Sequence, residues 1–462
     1  MRLGRILRIG VTAALFSMQL FAAEAGNEQA RFREIYQQLI EINTTHAQGT
    51  TKAANAMRQW LLTAGFAADD IQVFEPVGNY GNLVARLKGT GEQKPLLLLA
   101  HLDVVEARTA DWKTDPFKLQ ERDGYFIGRG VIDDKAMAAS FVSILAQFKR
   151  EGFRPKRDII LTLTSGEESG EGDTNGASWL VNNQRQLIDA EFGINEGGRG
   201  ELKDGKPSVH IMQVGEKQYV TYELEVTSPG GHSARPTGDN AIYTLSEALV
   251  RIGQFRFPVN LTDTARVYFE RNARFSSGQI AEDMRAVAGG QAGAAVIDRI
   301  SARPDLVGML RTTCVATQVK AGQAENALPQ RAWATVNCRV LPNESDSQAE
   351  AKLKELAGPK VAVRVIQKSV PAAPSALNPA IMKPAEQITE QMWPGVPVIP
   401  AMGVSTTDSH WLRAAGIPMY GISGIFVNPA DTGVHGMNEH VGVKQIYDGR
   451  EFLYRFIKAI AE

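Results

Sequence analysis

Apolar residues along this chain recur with two alternating periods. Over 30–42, Phe32, Ile35, Tyr36, Leu39 and Ile42 share one helical face, and 51–63 reads as a second helix. Apolar runs at 81–87 and 95–105 read as strands. Met137, Phe141, Ile144, Leu145 and Phe148 then mark a helix over 135–150 whose apolar stripe is core. Strands alternating with helices predict an α/β fold: a mixed, mostly parallel sheet flanked by helices.

The pattern changes near Glu216. Residues 219–227 alternate as a half-buried strand does, and a helix over 240–252 follows. The Gly/Ala-rich stretch from there to about Pro304 reads as irregular. Strands at 312–319 and 331–340, a helix at 347–356 and a strand at 360–366 complete a β-α-β-β-α-β order, the ferredoxin-like α+β arrangement. Residues 369–375, rich in Pro and Ala, read as a linker. The plan is a leader at 1–25 and a larger domain built from 26–215 and 369–462. A unit at 216–368 is inserted into it, of ordinary domain size. No internal repeat stands out.

Composition is that of a globular protein, 44% hydrophobic and 22% charged. Arg2, Arg5 and Arg8, the apolar stretch 9–22 and Ala23-Glu24-Ala25 have the layout of a cleaved secretory signal. The alternative, an uncleaved anchor, needs roughly 17–25 apolar residues, and this stretch falls short. Cleavage takes three arginines and one glutamate from 50 basic and 51 acidic residues, leaving a net charge of −3. Nothing in that balance calls for nucleic acid, and no other stretch is apolar enough for a stable membrane span. Cys314 and Cys338 lie in strand-like segments flanking a turn, and an exported chain can pair them or keep two buried thiols.

The chemistry gathers where apolar runs end. His101 and Asp103 follow Leu96-Leu97-Leu98-Leu99-Ala100, and Asp133-Asp134 sits in Gly128-Arg129-Gly130-Val131-Ile132-Asp133-Asp134-Lys135. Glu167-Glu168 follow the run 159–164, Glu196 follows Phe192-Gly193-Ile194-Asn195, and His435 opens His435-Gly436-Met437-Asn438-Glu439. Open α/β sheets bind ligands at the carboxyl ends of their strands. Imidazole and carboxylate donors without thiolates suit two divalent ions, zinc first, with cobalt or manganese as substitutes. Singly, His-x-Asp and Glu-Glu are common surface motifs; together and in this order they are not. No Gly-x-Ser-x-Gly elbow appears, which sets a serine hydrolase aside.

These residues resemble the co-catalytic zinc peptidase family of glutamate carboxypeptidase, aminoacylase, succinyl-diaminopimelate desuccinylase and carboxypeptidase S. The stretch from His101 through Trp112, Pro116-Phe117 and Gly128 to Lys135 is most similar to the carboxypeptidase S and N-acyl-amino-acid hydrolase branch. The resemblance implies His101 and Glu196 on the first metal, Glu168 and His435 on the second, and Asp133 bridging both. It makes Glu167 the general base, Asp103 the carboxylate that orients His101, and Asp133-Asp134 a cis peptide. It also makes 216–368 a lid and dimerisation domain of a homodimer. There His232, in Gly230-Gly231-His232-Ser233, holds the oxyanion, while Asn326 and Arg339 meet the substrate's carboxylate or oxyanion.

One loop departs from the pattern. Ser405-Thr406-Thr407-Asp408 stands where many relatives carry Gly-Thr-Asp, in the loop lining their carboxylate pocket. The implied activity is an exported metallopeptidase of carboxypeptidase or dipeptidase type, cleaving small peptides beside a free carboxylate. An N-acyl-amino-acid amidohydrolase is the rival within the same chemistry. A catalytically inactive binding protein is the rival outside it, and the intact Glu167 argues against that one.

Overall fold

The structure is a computed structural model describing residues 26–168, 172–428 and 430–462, so the leader expected at 1–25 lies outside the described residues. The chain folds as two compact units. One takes in the described residues up to His210 with Asn378–Pro397 and Ile422–Glu462; the other comprises Ile211–Leu377 and Val398–Gly421.

The first unit opens with helices α1 (26–41) and α2 (Thr51–Thr63). Strands β1 (Ile71–Phe74), β2 (Asn82–Leu87) and β3 (Leu96–His101) follow. Then come the short β4 (Gln120–Arg122) and β5 (Tyr125–Ile127), helix α3 (Lys135–Glu151), β6 (Ile159–Thr164), helix α4 (Gly176–Asn183) and β7 (Phe192–Asn195). In the sheet order β1-β2-β6-β3-β7, the first two pairings are antiparallel and the central β6-β3-β7 pairings are parallel. All six residues of β3 and of β6 are buried. Continuous runs such as Leu96-Leu97-Leu98-Leu99 are what a strand covered on both faces requires.

β3 stops at His101, opposite Thr164, and so is shorter than the run at 95–105 suggested. Beyond it the Leu102 amide still donates to the Thr164 carbonyl, but the chain then turns away to Thr44. Helix α3 buries most of its surface, as its dense apolar pattern predicts, and ends at Gly152, whose φ of 65° is the left-handed cap glycine supplies readily. β4 and β5 form a small antiparallel sheet with His440–Gly442.

Strands β8 (Gly200–Lys203) and β9 (Lys206–Glu216) pair antiparallel. After them the second unit contains β10 (Gln218–Thr227), β11 (Gly231–His232), α5 (Ala241–Gln254) and four helices, α6 (Asp263–Phe275), α7 (Gly278–Ala288), α8 (Ala294–Ser301) and α9 (Pro304–Leu310). Strands β12 (Thr313–Ala321), β13 (Ala327–Leu328) and β14 (Arg331–Val340), helix α10 (Asp346–Ala357) and β15 (Ala362–Lys368) complete it. The order β12-β14-β10-β15, antiparallel throughout, is the ferredoxin-like sheet expected from the sequence. Val220, Tyr222 and Leu224 bury one face with Leu245 and Ile252 of α5 and Leu353 of α10.

The stretch read as irregular between 252 and 304 is instead helical. Thr262 caps α6 by accepting from the Ala265 amide, and Ala265, Phe269 and Ala273 recur every fourth residue into a core with Met284, Val287 and Ile300. Alanine at two of those three core positions concealed the stripe. Cys314 and Cys338, register partners across β12 and β14, are joined by a disulfide.

Candidate metal centre

The strand order builds the site. Because β6, β3 and β7 are adjacent and parallel, the residues ending or following them, Glu167 and Glu168, His101, and Glu196, emerge along one edge. Asp133 comes from the loop before α3, and its peptide to Asp134 is cis. His435 comes from the loop before His440 and has a φ of 59°, unusual for a side chain with a Cβ.

These groups converge within the first unit. His101 Nε2 lies 3.0 Å from Asp133 Oδ1 and 3.9 Å from Glu196 Oε1. His435 Nε2 lies 3.1 Å from Asp133 Oδ2 and 2.9 Å from Glu168 Oε1. The two oxygens of Asp133 thus face different imidazoles. His101, Asp133 and Glu168 each bring a donor atom within 4.8 Å of the others, and so do His101, Glu167 and Glu196.

The Glu167–Glu168 turn is held from beneath. Asn82, buried in β2, accepts from the Ser165 amide at 2.9 Å, and Asn175 donates to the Gly166 carbonyl at 3.0 Å. Gly176 must lack a side chain here, since a Cβ would stand 1.6 Å from Asn82 Oδ1. The Glu167 and Glu168 amides donate to Asp103 Oδ1 and Oδ2 at 3.2 and 3.0 Å. Asp103 is also the residue expected to orient His101. It is the main-chain carbonyl of Asp103 that meets His101 Nδ1, at 3.0 Å, while its carboxylate stands 3.7 Å away. One residue therefore fixes both the imidazole and the paired glutamates.

Sequence reasoning missed Glu439. Fully buried, it accepts from the amides of Gly130 and Ile132 at 2.8 Å each, from the Asp133 amide at 3.2 Å, and from Arg129 Nη1 at 2.8 Å. Arg129 Nη2 donates to the Gly436 carbonyl at 2.7 Å, so the loops carrying Asp133 and His435 are tied together. The available signal was a glutamate four residues after His435 and an arginine four before Asp133, both too charged to be buried unpaired.

The electrostatics fit a dication pair. Burial opposes charge on Asp133, but hydrogen bonds from His101 and His435 prevail and hold its carboxyl well below the usual range. Burial also opposes charge on His101, yet Asp103, Asp133 and Glu196 raise its imidazole well above the usual value. The hydrogen bonds to Asp133 and Glu168 lift His435 to about 10. Burial pushes Glu196 well up despite His101, with the like charges of Asp133, Asp134 and Glu168 adding to it. Without cations, Asp133 therefore depends on the imidazolium protons of His101 and His435, and Glu196 is driven toward its neutral form. Divalent ions would replace those protons, and the donor set of imidazole nitrogens and carboxylate oxygens matches zinc chemistry.

The other predicted residues lie in the second unit. Exposed His232 on β11 pairs with Ala327 of β13, next to Asn326, whose carbonyl accepts from the Ser233 amide at 3.0 Å. Its Nδ1 accepts from the Ala234 amide at 3.1 Å. Arg339 lies on β14.

The family model described as peptidase family M20/M25/M40 matches residues 97–459, which hold every metal-centre residue above. The chain belongs to that family. This M20 peptidase is therefore a metal-dependent hydrolase of peptide or amide bonds. It is 26% identical over 459 residues to the N-fatty-acyl-amino acid synthase/hydrolase PM20D1 of Mus musculus, spanning 93% of this chain and 88% of that protein. It is 28% identical over 416 residues to the probable carboxypeptidase S-like 2 of Dictyostelium discoideum, covering 83% and 75%. Its fold matches the M20 family metallo-carboxypeptidase Sso-CP2 of Sulfolobus solfataricus with a TM-score of 0.70 at 16% identity, covering 93% and 99%. An M20 relative from Bacillus subtilis is described as a dinuclear metal binding peptidase.

Proposed function

We propose that this chain is an exported, zinc-dependent hydrolase that cleaves an amide bond beside a free carboxylate, of carboxypeptidase or dipeptidase type. The observation that carries the reading is Asp133, whose oxygens face His101 and His435 separately. In this reading His101, Asp133 and Glu196 hold one ion, and Asp133, Glu168 and His435 the other. Two bound ions would supply Lewis-acid polarisation of the scissile carbonyl and a water acidic enough to attack near neutral pH. Glu167 takes the proton of the attacking water and passes it to the leaving amine. Asp103 keeps His101 and the Glu167–Glu168 amides in place through the contacts above. His232 offers Nε2 to the oxyanion, supplied from a second copy in a homodimer, and Asn326 and Arg339 meet the substrate's carboxylate.

Residues 1–25 and the Cys314–Cys338 disulfide support export, since such bonds persist in oxidising compartments. The rival acyl substrate is favoured by the resemblance to the N-fatty-acyl-amino acid hydrolases. A hollow of about 490 Å³ beside His435 speaks for a peptide instead. In it Arg108 pairs with Asp111 and Arg129 with Glu439, which leaves the Glu106 carboxylate to attract a free α-ammonium.

Amine release from free-carboxylate dipeptides, their C-terminal amides and N-acyl amino acids, each with and without chelator, tests the proposal. We expect chelator-sensitive cleavage confined to free-carboxylate substrates, restored by zinc, cobalt or manganese, with dipeptides ahead of acyl substrates. Equal cleavage of the amides would remove the carboxylate requirement.

A further inference from the structure

The face of the β12-β14-β10-β15 sheet turned away from α5 and α10 carries two kinds of arginine. Arg364 Nη2 sits 2.6 Å from Glu223 and 2.7 Å from Glu225, and Arg331 Nε sits 3.0 Å from Glu225. These charges neutralise one another. Arg339 makes no ion pair among the described residues, although its side chain is partly withdrawn from water. Desolvation lowers its pKa, as it must for a cation withdrawn from water without a counter-charge.

Neutral groups hold it instead. The guanidinium carbon lies 4.7 Å from the centre of the Tyr219 ring, and Tyr219 is the register partner of Arg339 across β10 and β14. Nε donates to Asn337 Oδ1 at 3.3 Å, from two residues back on the same face of β14. Asn337 is itself fixed, its amide donating to Thr221 Oγ1 at 3.0 Å. Nη1 donates to the Val404 carbonyl at 3.2 Å, at the start of the loop whose sequence departs from the family pattern. Nη2 and the second N–H of Nη1 have no partner among the described residues. Free donors on a planar fork suit a carboxylate, which accepts two of them in bidentate fashion from one edge.

We propose that Tyr219 and Asn337 are positioning residues for carboxylate recognition, holding Arg339 so that its Nη edge meets the free carboxylate of the substrate. This rests on the reading of Arg339 as the carboxylate contact. An arginine serving only to stabilise the sheet would be paired as Arg364 and Arg331 are. Tyr219 fixes the plane of the fork and Asn337 its rotation, and neither brings a negative charge that would compete with the substrate.

The test is the ratio of kcat/KM for a free-carboxylate dipeptide to that for its C-terminal amide, measured on the metal-loaded enzyme. Tyr219→Leu should raise KM for the carboxylate substrate about 3- to 10-fold with kcat nearly unchanged, the range expected for a lost cation–π contact. The amide substrate should be unaffected, and Tyr219→Phe, which keeps the ring, should retain the ratio. Asn337→Asp places a carboxylate against Nε and should depress the ratio even if Tyr219→Leu fails to fold. If Arg339→Ala collapses the ratio while Tyr219→Leu and Asn337→Asp leave it intact, the positioning roles are wrong. If Arg339→Ala leaves the ratio unchanged, the carboxylate-contact reading itself falls.

Discussion

Two regions of the first unit hold histidines and treat them in opposite ways. At the strand ends, His101 and His435 are surrounded by Asp103, Asp133, Glu168 and Glu196, and both imidazoles bind protons more tightly than usual. At the end of the unit's other chain segments, His210 lies among Trp393, Phe426 and Phe452, and burial lowers its pKa to about 3. Its Nε2 accepts from the Gly424 amide at 3.2 Å, so Nδ1 carries the proton toward Thr389 Oγ1 at 2.9 Å. His210 is complete as a neutral residue. The strand-end pair is complete only with added positive charge, whether protons or metal. Burial alone does not mark a functional histidine; unbalanced charge around it does.

The largest expected effect tests whether that imbalance serves catalysis. Glu167→Ala should lower kcat by about 10²–10⁴-fold, the usual contribution of a general base, while metal analysis still finds about two ions per chain. Full activity in this variant would separate the cluster from the chemistry proposed for it. An intermediate effect is expected at Glu439, which meets Asp133 only through its main-chain amide and holds the loop that carries it. Glu439→Ala leaves three buried amides and Arg129 without their acceptor, and should weaken metal affinity about 10–100-fold in chelator competition. An unchanged affinity would mean that Asp133 needs no such support.

The last effect, at His210, leaves activity untouched and concerns stability alone. Its folded pKa of about 3 is below the unfolded value near 6.5, so between those pH values the unfolded chain binds the extra proton. Stability from this group is therefore intact above pH 6.5 and is lost at about 1 kcal/mol per pH unit as pH falls toward 3. Urea unfolding at pH 7.5 and 4.5 should show the wild type losing about 2–3 kcal/mol more than His210→Gln across that interval. Equal losses would show that His210 can charge in the folded state.

Much of the site was legible because its residues sit where apolar runs end. Leu96–Ala100, Ile159–Thr164 and Phe192–Asn195 announce buried strands, and the parallel order β6-β3-β7 gathers whatever follows them. Glu439 was illegible because its importance lies in main-chain amides of a loop some 300 residues away, which leave no mark on side-chain pattern. Helix α6 was hidden by small core residues, and His210 by neighbours that come from 393, 426 and 452. Asp103 was recognised, but which of its oxygens faces His101 depends on a turn that only coordinates reveal.

The Arg129–Glu439 tie has a consequence for a shortened chain. Asp133, His101, Glu168 and Glu196 all precede residue 200, whereas His435 and Glu439 follow only after the segments of the second unit. A chain lacking residues beyond 430 has no group to order the amides of Gly130, Ile132 and Asp133 and no His435 opposite Asp133. In the proposed reading, a chain cut before His435 keeps most of the first unit's core yet lacks a metal donor and the acceptor that orders the Asp133 loop, and it should be inactive.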